Sequence, residues 1–124
     1  MQLNETVDLT TVAIFYAEDI AAGANTVTVS DSITGGTLRF AIFEYSGVAT
    51  TASDDLVIGA ISTSESATFT AGTDYVIQER VPATGTKLVV EDRRQATPGA
   101  VSANATLSVS RIWGAAMATF KRAP

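Results

Sequence analysis

Apolar residues alternate along most of this chain with a period of two. In "TVAIFYA", Val12, Ile14 and Tyr16 share one face while Ala13 and Phe15 share the other, the spacing of a strand. "NTVTVSD" sets Val27 and Val29 against Thr and Ser, and Gly23 and Asn25 supply the turn between the two segments, so they read as adjacent strands. After the turn "DSITGG", the stretch "LRFAIFEYSGV" places Leu38, Phe40 and Ile42 on one face and Ala41, Phe43 and Tyr45 on the other. Apolar residues on both faces predict a central, well-covered strand.

Beyond the loop "GVATTASDD", the strands "LVIGAIS", "ATFTAGTDY", "YVIQERV" (closed by Pro82), "KLVVEDRRQ", "SANATLSVS" and "RIWGAAMATFK" follow, with turn residues between them. About nine short antiparallel strands at spacings of roughly 8–14 residues predict an all-β chain folded as a single β-sandwich or jelly roll. Helix is conceivable only in "TTVAIFYAEDIAA" and "WGAAMATFKRA", and Gly114 inside the latter argues for a final strand. The length of 124 residues suits one domain with a real core.

Charge narrows the partners. The net charge is −5, and the eight Lys and Arg are spread from Arg39 to Arg122, so phosphate backbones are repelled and no nucleic acid is expected. No apolar run approaches the roughly 20 residues of a membrane span, and no membrane partner is expected either. The opening "MQLNETVDLTT" has no basic n-region and no apolar h-region, which leaves a cytoplasmically made protein or a chain without its leader.

The chain has no Cys and no His, which removes thiol catalysis, Ser-His-Asp catalysis and nearly every transition-metal site. Carboxylate chemistry remains. A glycosidase needs two acids at a defined separation, but a β-protein with 13 acids offers such pairs by chance, and no enzyme activity is expected. The loop pairs at Ser53–Asp55 and Ala17–Asp19 lack the D-x-D-x-D spacing of a dedicated calcium site. No cofactor is expected, and a calcium site assembled from separate loops stays open.

Two acidic positions sit at the ends of apolar strands: Glu44, and the "EDRR" of Glu91, Asp92, Arg93 and Arg94. Acids near a core persist when paired, so these five are candidates for salt bridges or backbone hydrogen bonds tying strands and loops together, with Arg93 or Arg94 as the partner of Glu44. Among the aromatics, Tyr16, Tyr45, Tyr75 and Trp113 could form a stacking row for a glycan or a partner, although a lone Trp on an apolar strand also reads as core.

The second half also resembles a known domain. "FEYSGV", "DLVIGAI", "ATFTAGTDY", "LVVEDR" and "VSANATLSVSRIWGAAMATFK" follow one another as in a domain recurrent in phage structural proteins and bacterial secreted or surface proteins, over roughly residues 10–122. The resemblance implies a jelly-roll-like sandwich used for display and adhesion, without established catalytic residues. This chain departs from that pattern in having no strand pair before "TVAIFYA" and a short loop before "DLVIGA". Missing strands leave an edge or apolar flank to be covered by self-association or by a larger assembly. The resemblance thus implies a capsid decoration or cement protein of a tailed phage. Its sandwich would span 10–122, and residues 1–9, with Met1, Gln2, Leu3, Asn4 and Glu5, would form a flexible assembly arm, a role the tail "KRAP" could also take. Its partners would be copies of itself, a trimer first, and the major capsid protein, on the virion surface. The other reading is a carbohydrate-binding or adhesion module of a phage tail, baseplate or cell surface.

Overall fold

The computed structural model describes residues 2–7, 10–17, 23–24, 26–30, 37–43, 48–49, 55–97 and 100–122. Its strands are β1 (Gln2–Val7), β2 (Thr10–Phe15), β3 (Val48–Ala49), β4 (Asp55–Thr63), β5 (Phe69–Thr70), β6 (Val76–Val81), β7 (Leu88–Gln95), β8 (Thr106–Leu107) and β9 (Trp113–Arg122). No helix occurs among the described residues.

Four long strands form an antiparallel sheet in the order β9-β4-β7-β6, and the two-residue β3 adds to the outer edge of β9. "DLVIGAIST" occupies the middle because it is apolar toward both faces, and it is buried over nearly its whole length. Ala115, Ala116 and Ala118 of β9 and Val89 and Val90 of β7 lie beside it in register. On one face Ala60, Leu88, Val90 and Ala116 pack with Val12 of β2, flanked by Ile14, Ile58 and Val81. The β1–β2 hairpin lies over β9 and β4 on this side. On the other face Ile61 and Val89 pack with Phe69, flanked by Ala105, Leu107 and Ala115. The β5–β8 pair covers this side. A Val, Leu, Ile or Phe side chain among them contributes about 1.5–3 kcal/mol when fully buried.

β6 carries an irregularity between Ile77 and Glu79 that leaves Gln78 outside the register, and the Gln78 side-chain amide donates to Asp92 Oδ1 at 2.7 Å. A bulge of this kind twists an edge strand and discourages further pairing.

The all-β expectation holds, and "RIWGAAMATFK" is strand. The described residues form one antiparallel sheet flanked by two short strand pairs, and a closed jelly-roll sandwich of two facing sheets is not shown among them. Two strand assignments need correction. Residues 26–30 and 37–43 form no strand, and Leu38, Phe40 and Ile42 are exposed. The reason is competition for the middle of the sheet. β4 holds that place with a neighbour on each edge and cover on each face, and residues 37–43 join no sheet among the described residues. Of the segment expected as an arm, residues 2–7 pair with β2 from Gln2↔Phe15 to Val7↔Thr10.

Candidate functional site

The alternation of β7 sends Leu88, Val90 and Asp92 to the β1–β2 side, and Val89, Glu91 and Arg93 to the β5–β8 side. Glu91 therefore enters the core with Val89, and no part of it reaches solvent. It lies between Gly59 of β4 and Ile77 of β6. Gly59 is what makes room. A Cβ there would stand 3.4 Å from Glu91 Cγ and 3.6 Å from Oε1, and would collide with Ala103 Cβ, which closes over the site.

The cover comes from two segments without long strands. In the turn from Gly72 to Tyr75, the Gly72 carbonyl accepts from the Tyr75 N–H at 3.1 Å, and Asp74 takes a left-handed conformation (φ 66°). The Gly72 N–H donates to Glu91 Oε2 at 3.4 Å. Gly72 must itself lack a side chain, because a Cβ would run into the side chain and carbonyl of Asn104. The 103–105 segment thus rests on the turn and on Gly59 together. Oε1 of Glu91 has no hydrogen-bond partner among the described residues.

Burial pushes the Glu91 carboxyl above its ordinary range, opposed by the backbone N–H groups of Gly72 and Asn104. Tyr75 is also buried, and its hydroxyl has no partner among the described residues. Burial raises it too, with Arg93 pulling against that rise and Glu91 adding to it. The Arg93 guanidinium stands 5.0 Å from the Tyr75 ring centroid, in cation–π range. Its Nη2 donates to Gln95 Oε1 at 2.6 Å.

Next to this cluster is an open cleft of about 350 Å³. Ala103, Asn104, Ala105 and Leu107 line it together with Ile61, Ala115 and Trp113. Asn104 is its polar element. Trp113 is 56% exposed, which corrects the core reading of this residue. It stands at the start of β9, opposite Thr63 of β4, and lines the cleft.

The other residues singled out from sequence are placed as follows. Asp92 accepts from Gln78, and Arg94 is exposed. Glu91 accepts from the Gly72 N–H, while Arg93 turns to Tyr75 and Gln95. Arg111 Nε pairs with Glu65 Oε2 at 3.4 Å, away from "EDRR". Tyr16 packs edge-on against Phe120 with ring centroids 5.1 Å apart. With Tyr75 buried and Tyr16 half-buried, the described aromatics do not form the expected row, and Trp113 alone of the three is exposed. Glu44, Tyr45 and Met1 lie outside the described residues, and Gln2, Leu3, Asn4 and Glu5 belong to β1. Among the described residues no three acids gather as a metal-binding group.

Sequence reasoning missed Gly59, Gly72, Ala103 and Asn104. The signal for the first was present, because a glycine inside the apolar run "LVIGAI" marks a close approach of something to the strand. Asn104 had no such signal; its place depends on which turn it meets. Comparison with protein-family models, with curated proteins and with solved structures gave no match.

Proposed function

We propose that this chain is a non-enzymatic virion structural protein, a decoration or cement protein that binds and stabilises a tailed-phage capsid lattice as an oligomer. The observation that supports it most is the exposure of Leu38, Phe40 and Ile42, at 44, 52 and 57%. Three large apolar side chains in one short segment, on a chain with a charged fraction of 17%, are suited to cover by a neighbouring molecule. A second copy laid on this segment would supply the missing cover and complete a jelly-roll-like sandwich between chains. The resemblance of "EYSG", "DLVIGA" and "VEDR" to phage structural domains points the same way. The deep burial of Glu91 suits a structural acid, since a carboxylate without solvent contact does not meet a substrate in this conformation.

The test combines solution mass with co-sedimentation on expanded tailed-phage capsids. A concentration-dependent oligomer, a trimer first, that binds the capsids is expected, and Phe40→Ser with Ile42→Ser should weaken both. A chain that stays monomeric throughout and does not sediment with capsids overturns the proposal.

One observation favours the adhesion reading: Trp113 exposes its ring beside a cleft that also presents Asn104, an aromatic platform next to an amide. A glycan array separates the two. Binding that Trp113→Ala abolishes, without any capsid association, would select adhesion.

A further inference from the structure

The 103–105 segment has no strand pairing of its own, yet it lines the cleft and closes over the sheet. It is seated on two glycines, Ala103 over Gly59 and Asn104 over Gly72. Beneath both lies the Glu91 carboxylate, fully buried, with Oε2 reaching the Gly72 N–H at 3.4 Å and Oε1 without a partner among the described residues; the Gly72 and Asn104 N–H groups favour its charged form, and burial outweighs them. A neutral carboxyl is tolerated in such a place. A carboxylate anion in the same place needs donors or a cation, or must move toward water.

We propose that Glu91 is a protonation-dependent clasp: neutral, it lets the Gly72 turn and residues 103–105 seat on the sheet, and ionised, it loosens them and widens the cleft beside Trp113.

The surrounding charges leave Glu91 to set this equilibrium. On β7, Arg93 is engaged with the Tyr75 ring and Gln95. The turn brings Tyr75, whose phenol is neutral throughout the acidic and neutral range, and Asp74, which is exposed. β4 presents Val57 and Ile61 beside Gly59, with Asp55 at its far end opposite Gln95. On β6 the same face carries Ile77 and Arg80, and Arg80 Nη2 donates to the Phe69 carbonyl at 3.1 Å. β9 places Met117 opposite Gly59, with Lys121 toward its other end beside β3. Residues 103–105 add no titratable group.

The sign follows from burial. Glu91 is raised in the folded chain above its ordinary 4.5. Its favourable contribution is then fully present below about pH 4.5 and is lost as pH rises through the folded value. The clasp loosens toward higher pH. This inference goes beyond the capsid reading and does not depend on it.

Trp113 is the chain's single tryptophan and reports on the cleft directly. Its emission, and hydrogen exchange at the Gly72 and Asn104 amides, would be followed on the full chain from pH 4 to 9. The reference is the Thr63 amide, bound to the Lys87 carbonyl at 2.8 Å. The expected result is one transition above pH 4.5 in both readouts, with a roughly fivefold or greater loss of protection at Gly72 and Asn104 relative to Thr63, the scale of one lost hydrogen bond. Glu91→Gln, with an unchanged far-UV spectrum, should abolish the transition. Persistence of the transition in that variant overturns the proposal, as does a wild-type chain that stays folded and shows none. If Glu91→Gln does not fold, wild-type exchange decides alone: a change confined to Gly72 and Asn104 supports the clasp, and one shared with Thr63 overturns it.

Discussion

Two stretches of this chain look alike as text and differ as structure. "LRFAIF" and "DLVIGAIST" are both apolar on both faces, and each would serve as a central strand. Only the second does. Residues 55–63 lie between β7 and β9, meet Ala115, Ala116 and Ala118 on one edge and Val89 and Val90 on the other, and carry Gly59 and Ala60 where the covering layers come close. Residues 38–43 present Phe40 and Ile42 outward, and only Ala41 of that segment joins the core on the β2 side. Apolarity makes a strand worth burying, but small residues opposite matching neighbours decide which strand is buried.

The sharpest break of that contrast is Phe69→Ala. Phe69 is 2% exposed and anchors the core on the β5–β8 face of β4. Its truncation should cost about 3–5 kcal/mol, a large part of a small domain's stability, read as a shift in urea midpoint. A cost below about 1 kcal/mol would place the anchor elsewhere. Next comes Gly59→Ala, which forces a methyl group against Ala103 and Glu91. It should cost about 1–3 kcal/mol by the same measurement, and a neutral result would mean that residues 103–105 are not seated there. The smallest effect belongs to the other stretch. Phe40→Ser should change the thermal stability of the isolated chain by no more than about 0.5 kcal/mol, and a loss several times larger would show 38–43 to be packed after all.

Much of the principal sheet was legible. β4, β6, β7 and β9 follow directly from alternation, turn glycines and Pro82, since their periodicity coincides with real neighbours. The strands expected at 26–30 and 38–43 failed because periodicity records a face and not a partner. β5 and β8 shrank to two residues each for a related reason: "ATFTAGTDY" and "SANATLSVS" are mostly small and polar, so few of their residues gain from pairing. At the site, "EDRR" drew attention to Glu91, which takes the Gly72 N–H, whereas Glu44, for which Arg93 or Arg94 was the expected partner, lies outside the described residues. Which loop covers a buried acid depends on the register of β4 against β7, and that register brings Gly59 opposite Glu91.

The position of β4 also sets an order of events during synthesis. Its neighbours are β7 and β9, and Gly59 pairs across to Met117, far along the chain. A ribosome adding about 5–20 residues per second therefore exposes "DLVIGAIST" for seconds before Trp113–Arg122 emerges to close its second edge. Until then the nascent chain holds an apolar strand with an open side, the form in which two chains most readily pair with each other. In the cell, the passage most in need of cover waits for the last strand of the sheet to receive it.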